Sequence, residues 1–217
     1  MQPHSVPTVS ICILTYNRCS LLCSLLLSLS ELKHEGLEIV IVDNHSTDHT
    51  QEMVAEQFGK MAYIRTQRNM GASARNLGLM RAQGEFVITL DDDVAGLTDD
   101  HIAYLQDLFR QRPQLGAVNF RILDPATGEL SNWVHHCKAE DFSDKEFCTY
   151  EITEGAVAFR KAALEKSGYY AETFFLSHEG PDLAFRLMNS GYEVLYTGSV
   201  TVAHHHSSLG RQDWLNY

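Results

Sequence analysis

The sequence is poor in cysteine, proline and positive charge. Its 217 residues include five cysteines and five prolines, and 17 lysines and arginines stand against 28 aspartates and glutamates. The cysteines are odd in number and form no Cys-x-x-Cys pair, which argues against a disulfide framework or a zinc site and indicates reduced thiols. The formal net charge of -11 argues against a nucleic-acid partner, because such proteins usually present a basic patch.

Long hydrophobic runs are also missing. The N-terminus lacks the charged region and apolar core of a signal peptide. The leucine-rich stretch 21–29 is short and is interrupted by Ser24 and Ser28, so it is not expected to span a bilayer. We therefore expect a cytoplasmic protein without a transmembrane segment, with peripheral attachment to the inner face of the membrane as an alternative. No pattern indicates an oligomeric state.

The first half of the sequence alternates short apolar segments with helical patterns. Such alternation is typical of a parallel sheet covered by helices on both faces. The predicted strands are 9–14, 37–42, 62–66 and 85–90. The predicted helices are 20–32, 47–58 and 71–82. Ser46 or Thr47 is the expected N-cap of the second helix.

The second half is less regular, and no linker-like composition separates it from the first. It contains a loop-rich stretch at 124–149. Strands are predicted at 115–122, 153–159, 192–196 and 199–203. Helices are predicted at 101–112, 161–167 and 181–190. We expect one α/β domain over 1–217, with a nucleotide-binding half up to about residue 95 and an acceptor-binding half from about residue 96.

Polar clusters follow three of the predicted strands, where ligands bind in open α/β sheets. The most acidic is the triplet Asp91, Asp92 and Asp93, which follows the fourth strand. Three adjacent carboxylates repel one another unless a cation lies among them. Mg2+ or Mn2+ is the natural cation, because both prefer oxygen ligands. A solvated acidic turn is the alternative interpretation.

The other two clusters would line the mouth of the same crevice. Asp43 follows the second strand, where it could accept a hydrogen bond from a nucleobase N–H or serve as a turn residue. Thr15, Tyr16, Asn17 and Arg18 follow the first strand. These four side chains could contact a ligand or satisfy the backbone groups of the loop.

A fourth segment, NMGASARNLG, is rich in small residues and contains Asn69, Arg75 and Asn76. Its small side chains would let a helix N-terminus approach an anion closely. A glycine-rich turn that enters an amphipathic helix explains the same pattern equally well.

Together these segments resemble family 2 glycosyltransferases. VSICILTYNR, VDNHSTD, NMGASARNLG and GEFVITLDDDV occur in the order and rough spacing of that family and cover about the first half of the chain. The resemblance implies a GT-A fold, in which helices flank a Rossmann-like, nucleotide-binding mixed sheet, and an inverting reaction. It also implies that Thr15 and Asp43 bind the nucleobase, that Asp92 lies near the ribose, and that Asp93 is the principal metal-binding carboxylate. The remaining residues that we assign to the donor site are Tyr16, Asn17, Arg18, Asn69, Arg75 and Asp91.

The segment SHEGPDLAFRL resembles the acidic motif of the family, which often reads Glu-Asp-x-Asp-Leu. Glu179 matches the first acid and Asp182 the last, whereas Gly180 replaces the middle aspartate. We predict Glu179 as the catalytic base, because Gly180 as N-cap and Pro181 as first helical residue would leave Glu179 on a loop facing the cleft. Asp182 is the alternative base, or else it caps the helix or pairs with Arg186 at i+4.

Histidines near the end of the chain are candidates for the metal site. His204 precedes Ser207 by three residues, which matches a family histidine that completes the metal site. The loop-rich stretch also contains Trp133, His135 and His136, which could contact an acceptor or sugar, or belong to the core or a lid.

The predicted reaction is the metal-dependent transfer of a sugar, with inversion, from a nucleoside diphosphate sugar, most simply a UDP or dTDP sugar. The acceptor is a hydroxyl of a glycan, a lipid-linked sugar or a small natural product. Mn2+ or Mg2+ would neutralise the departing diphosphate, and a carboxylate would take the acceptor proton. Two alternatives remain, a non-catalytic module that binds sugar nucleotides and a nucleotidyltransferase. The lack of glycine in TYNRCS argues against the second.

Overall fold

In the computed structural model, which describes residues 8–205, the apolar segments of the first half form neighbouring parallel strands. The strands of the described chain are β1 (Val9–Thr15), β2 (Leu37–Asp43), β3 (Ala62–Arg65), β4 (Phe86–Asp91), β5 (Val94–Ala95), β6 (Leu115–Leu123), β7 (Glu146–Cys148), β8 (Ala156–Arg160) and β9 (Glu193–His204). All nine belong to one sheet with the order β3-β2-β1-β4-β8-β6-β9-β5, and β7 pairs with β9.

Helices cover both faces of this sheet. They are α1 (Cys19–Ser30), α2 (Thr50–Gln57), α3 (Arg75–Arg81), α4 (Asp99–Gln111), α5 (Ala139–Phe142), α6 (Lys161–Ser167) and α7 (Glu179–Asn189). A short 3-10 helix, Gly71–Ala74, leads into α3. No helix within residues 8–205 combines the length and the apolar character needed to cross a bilayer.

The central strands are apolar on both sides because helices pack on both. Ile11 and Ile13 of β1 join one core with the leucines of α1, while Cys12 points into a second core that contains Leu79 of α3. Successive side chains of a strand point to opposite faces, so a strand between two layers reads as a continuous apolar run.

The second half makes the sheet mixed, as the resemblance implies. Strand β8 lies antiparallel between β4 and β6, and β9 runs parallel to β6. The two short strands predicted at 192–196 and 199–203 are one strand in the structure. The register between β6 and β9 shifts where Phe120 faces Thr197 and Arg121 faces Thr201, and this irregularity explains why the sequence pattern breaks there.

Other predicted boundaries differ for local reasons. The second helix begins at Thr50 rather than at residue 47, and its N-cap is His49 without a side-chain cap. Neither Ser46 nor Thr47 caps it, because the Asn17 backbone donates to Ser46 Oγ at 2.9 Å and the Thr47 backbone donates to Asn17 Oδ1 at 2.7 Å. Through these hydrogen bonds, Ser46 and Thr47 connect the loop after β2 to the loop after β1.

Candidate active site

The ends of three parallel strands meet at one edge of the sheet, as the sequence predicts. In the strand register, Thr15 at the end of β1 faces Asp43 at the end of β2. Leu14 of β1 faces Asp91 at the end of β4. On the far side of the sheet, β5 pairs with the end of β9 so that Val94 faces His204. The topology therefore brings the first-strand loop, the acidic triplet and the late histidine together.

A cleft of about 770 Å³ opens at this edge. Nine of the thirteen predicted site residues line it: Thr15, Tyr16, Arg18, Asn69, Arg75, Asp91, Asp92, Glu179 and His204. The other four, Asn17, Asp43, Asp93 and Asp182, lie outside the lining. Ser207 and His206 lie outside the described residues.

Asp92 is buried and held by the first-strand loop. Thr15 Oγ1 donates to Asp92 Oδ2 at 2.7 Å, and Arg18 Nη1 donates to Asp92 Oδ1 at 2.9 Å. The same Arg18 nitrogen lies 3.0 Å from Asp93 Oδ2. Burial raises the pKa of Asp92 to about 6, although Arg18 and Thr15 act in the opposite direction. The Arg18 guanidinium therefore offsets part of the negative charge of the triplet.

Asp91, Asp93 and His204 form a group that could hold a metal ion. Each offers one ligand atom, and these atoms lie within 4.8 Å of one another. His204 Nε2 is 2.9 Å from Asp93 Oδ1, and the other ring nitrogen lies 3.3 Å from Asn132 Nδ2. Two carboxylates and one imidazole suit Mn2+ well, because carboxylates favour hard divalent ions and imidazole favours transition metals. A contact to the second ring nitrogen is the usual way in which a metal-binding histidine is oriented.

Arg75 connects this group to a carboxylate that the sequence reasoning missed. Its Nη2 pairs with Asp91 Oδ1, and its Nη1 lies 3.8 Å from Glu154 Oε2. Glu154 lines the cleft, and burial raises its pKa to about 8. Glu154 directly precedes β8 and lies outside the acidic motifs from which the site residues were predicted, so it was not assigned to the site. Asn132 was missed because it lies in the loop-rich stretch, where no motif was found.

Asp43 is more deeply enclosed than its predicted contact with a nucleobase suggests. The Ser46 backbone donates to Asp43 Oδ1 at 2.7 Å, and Tyr63 donates its hydroxyl to Asp43 Oδ2. Arg65 lies 3.5 Å from the same oxygen. Each carboxylate oxygen can accept more than one hydrogen bond, so the predicted base contact stays a prediction.

The small residues after Asn69 have a packing role. The Ala72 backbone donates to the Phe175 carbonyl at 2.8 Å, and a Cβ atom at Gly71 would overlap that carbonyl. Gly71 also adopts a positive φ of 63°, which favours glycine. Asn69 Oδ1 accepts from Asn44 Nδ2 and from the Gly71 backbone. The segment thus packs against the loop before α7, which accounts for its composition without an anion.

The prediction for the start of the last helix is wrong in detail. Helix α7 begins at Glu179, and His178, with a φ of 67°, is its N-cap. Glu179 is therefore the first helical residue rather than a loop residue, and it is only 2% exposed. Pro181 is tolerated in the first turn because the backbone N–H groups there lack helical partners.

Asp182 takes the structural role that was its alternative. Its Oδ2 accepts from Arg186 Nε at 3.0 Å and from Arg186 Nη2 at 2.7 Å. Arg186 also donates to the carbonyls of Ser167, Gly168 and Tyr169. Asp182 therefore helps to join α7 to the end of α6, outside the cleft.

The aromatic residues of the loop-rich stretch divide between core and surface. The Trp133 and His135 rings pack against Tyr196, and Trp133 Nε1 donates to the Cys137 carbonyl at 2.8 Å. Burial lowers the pKa of His135 to about 4, so this ring is neutral at physiological pH. His136 is exposed and stacks on Tyr150.

Comparison with known proteins agrees with this architecture. Residues 10–168 match the family model described as Glycosyl transferase family 2. A poly-beta-1,6-N-acetyl-D-glucosamine synthase of Staphylococcus epidermidis is 27% identical over 207 residues, which cover 89% of this chain and 48% of the relative. A related synthase of Staphylococcus aureus strain COL is 26% identical over 194 residues, 83% of this chain and 46% of the relative. The chain thus spans about half the length of the curated relatives it matches.

Solved structures share the fold. A mannosyltransferase from Pyrobaculum calidifontis, in complex with GDP-Man and Mn2+, superposes with a TM-score of 0.74 at 24% identity, over 96% of this chain and 59% of the other. TarS of S. aureus, in complex with UDP-GlcNAc, gives a TM-score of 0.71 at 17% identity, over 93% of this chain and 60% of the other. The fold is that of the GT-A glycosyltransferases, and the chain belongs to glycosyl transferase family 2.

Proposed function

We propose that the cleft binds a nucleoside diphosphate sugar together with Mn2+ or Mg2+ and transfers the sugar, with inversion, to an acceptor hydroxyl. The observation that carries the proposal is the group formed by Asp91, Asp93 and His204 at the carboxyl ends of the strands. The cleft of about 770 Å³ is also within the range of ligand sites, roughly 300–1,000 Å³.

The relatives favour a UDP sugar as the donor. Curated relatives are synthases of poly-beta-1,6-N-acetyl-D-glucosamine, and TarS has been solved with UDP-GlcNAc. UDP-GlcNAc is therefore our first candidate, with a dTDP sugar as the alternative and GDP-mannose, found in the mannosyltransferase, as a comparison. A glycan hydroxyl is the acceptor that fits a polysaccharide-forming relative, and a lipid-linked sugar or a small natural product remains an alternative.

The proposal gives the donor-site side chains separate roles in binding the nucleoside diphosphate sugar and the cation. Thr15 and Asp43 contact the nucleobase, and Asp92 lies beside the ribose. Asp91, Asp93 and His204 would hold the cation, which when bound offsets charge on the leaving diphosphate. Arg18 contributes a second positive charge beside Asp92 and Asp93. The remaining donor-site residues in this proposal are Tyr16, Asn17, Asn69 and Arg75.

A carboxylate at the far side of the cleft receives the acceptor proton. Glu179 is the base predicted from the sequence, with Asp182 as its alternative. Asp182 is bound to Arg186 and lies outside the cleft lining, so we retain Glu179 of the two. Glu154, which also lines the cleft, is a further candidate for this role.

A cytoplasmic location is also part of the proposal. All five cysteines, Cys12, Cys19, Cys23, Cys137 and Cys148, are free, as is usual in a reducing compartment.

A turnover assay separates this proposal from a non-catalytic module. The chain is incubated with UDP-GlcNAc or GDP-mannose, with Mn2+ or EDTA, and release of the nucleoside diphosphate is followed with water as the acceptor. We expect release that depends on Mn2+. Tight nucleotide-sugar binding without any turnover would favour the non-catalytic module.

A further inference from the structure

Glu154 and Glu179 are two of the carboxylates that line the cleft, and they come from different segments of the chain. Glu154 lies just before β8, and Glu179 is the first residue of α7. Each has one buried oxygen, Glu154 Oε1 and Glu179 Oε2, without a hydrogen-bond partner within the described part of the chain. Buried polar groups are normally paired, so two such oxygens in one cleft indicate a place where a ligand hydroxyl can bind.

Gly180 explains why Glu154 reaches this position. A Cβ atom at Gly180 would lie closer than 3.0 Å to the Ile152 carbonyl oxygen, a separation that Cβ atoms essentially never show, and 3.1 Å from Glu154 Oε1. The start of α7 therefore packs directly on 152–154, and Glu154 occupies the space beside residue 180. Position 180 is also where this sequence lacks the middle aspartate of the acidic motif. The Glu154 carboxylate, from the segment before β8, therefore lies beside the position at which the family motif carries its middle aspartate.

Accessibility distinguishes the two carboxylates. The Glu154 side chain is 30% exposed as a whole, although its Oε1 is buried, whereas the entire Glu179 residue is only 2% exposed. A general base must come within hydrogen-bond distance of the hydroxyl that it deprotonates. On this criterion Glu154 can contact an acceptor, and Glu179 is shielded.

The charges around Glu154 suit a base. Arg75 lies 3.8 Å from Glu154 Oε2 and also pairs with Asp91, so one guanidinium fixes both carboxylates. Burial is the main cause of the raised pKa of Glu154; Arg75 acts against it, and Glu179 and Asp91 add to it. Tyr170 packs nearby, and its own pKa is raised by burial and by Glu154. A base with a raised pKa binds the transferred proton more strongly, and Glu154 accepts that proton in its ionised form, which predominates only above about pH 8.

We propose that Glu154, rather than Glu179, is the residue that takes the proton from the acceptor hydroxyl. The inference rests on the proposed glycosyl transfer. The acceptor oxygen forms a bond to the anomeric carbon, and its proton moves to the Glu154 carboxylate. The bond from the anomeric carbon to the diphosphate oxygen breaks, and its electron pair leaves with the nucleoside diphosphate. No further reactant is required.

The test uses UDP-GlcNAc with Mn2+ and water as the acceptor, and it compares single variants of the full chain. Glu154→Gln should lower release of UDP by at least about 100-fold, the lower range for loss of a general base, while the affinity for UDP stays within about twofold. Glu154→Asp should retain an intermediate rate. Glu179→Gln should lose less than about tenfold. Glu172→Gln, at an exposed carboxylate outside the cleft lining, serves as the control with an unchanged rate.

The outcomes separate this inference from the proposed function. Near-normal turnover by Glu154→Gln, together with loss of turnover in Glu179→Gln, would overturn the role of Glu154 and leave the glycosyl transfer intact. Absence of Mn2+-dependent binding and turnover in the parent chain, with both UDP-GlcNAc and GDP-mannose, would overturn the proposed function and the inference together. Circular dichroism melting and UDP affinity show whether Glu154→Gln has failed to fold. In that case the rate of Glu154→Asp tests the inference: an intermediate rate supports Glu154 as the base, and a parental rate contradicts it.

Discussion

Replacing Gly180 by alanine is expected to destabilise the protein, although alanine is the better helix former. In a helix interior, alanine is favoured over glycine by about 0.8–1.0 kcal/mol. Gly180 lies in the first turn of α7 with a buried backbone. A methyl group there would overlap the Ile152 carbonyl and press on Glu154 Oε1. The obstacle is backbone, which cannot rotate away as the end of a side chain would, so steric overlap should outweigh helix propensity.

The size of the effect follows from these two opposing contributions. Overpacking of a well-packed site costs about 1–3 kcal/mol. Because the obstacle here is backbone, we take the upper part of that range, about 2–3 kcal/mol, and subtracting the propensity gain leaves a net loss of about 1–2 kcal/mol. For a chain of this length, each kcal/mol corresponds to roughly 2–4 °C in Tm. We therefore expect the Tm to fall by about 2–8 °C.

Thermal melting by circular dichroism measures the shift, and Asn189→Ala provides the control. Asn189 is exposed at the other end of the same helix, so its substitution should change the stability by no more than about 0.5 kcal/mol. A Tm for Gly180→Ala equal to or above that of the parent would show that α7 does not pack on 152–154 as described.

Four further predictions concern the carboxylates. Asp93→Asn should abolish Mn2+-dependent UDP binding in calorimetry without unfolding the chain; unchanged binding would remove Asp93 from the metal site. Asp43→Asn, which keeps an acceptor for its buried partners, should weaken UDP binding by about 1.5–3 kcal/mol, and equal affinity would leave Asp43 a turn residue. Asp182→Asn should lower the Tm by a few degrees with turnover retained, because a half-buried pair such as Asp182–Arg186 is worth about 1 kcal/mol; loss of turnover at normal Tm would make Asp182 the base. Because the pKa of Glu154 is raised from 4.5 to about 8, its neutral form stabilises the fold below pH 4.5, and this contribution is lost as the pH rises through 8. Glu154→Gln should therefore raise the Tm at pH 9 relative to the parent and flatten the decline between pH 5 and 8, and an unchanged pH profile of the Tm would contradict the raised pKa.

The first half of the site was predictable because its geometry follows from local patterns. Thr15, Asp43 and Asp91 each end an apolar strand, and neighbouring parallel strands bring their carboxyl ends to one edge. The observed register places Thr15 opposite Asp43 and Leu14 opposite Asp91. Strand periodicity alone was sufficient to predict that these polar ends converge.

The second half depends on pairings between distant segments, which local patterns do not encode. Nothing in the sequence around β8 shows that it lies antiparallel between β4 and β6. The helix α5 and the strand β7 lie in a stretch that reads as loop. Strand β7 is held by its pairing with β9 rather than by its own three residues.

Glu154 and Gly180 show the same limit at the level of single residues. The sequence shows that an aspartate is absent at position 180, but not which side chain fills the space. The closeness of Glu154 to Gly180 arises only when α7 packs on 152–154. His204 differs, because its match to a family pattern identified it before its contact with Asp93 was known.

Calorimetric titration of UDP-GlcNAc into the parent chain, with Mn2+ and then with EDTA, measures whether donor binding requires the cation. We expect saturable binding in Mn2+ that is lost in EDTA, because the diphosphate can approach the acidic group Asp91, Asp93 and His204 only when a cation lies between them. GDP-mannose is titrated in parallel. Binding of GDP-mannose but not of UDP-GlcNAc would indicate a different donor preference rather than the absence of a donor site. Equal binding with Mn2+ and with EDTA, or no binding of either nucleotide sugar in Mn2+, would contradict a cation-dependent donor site in this cleft.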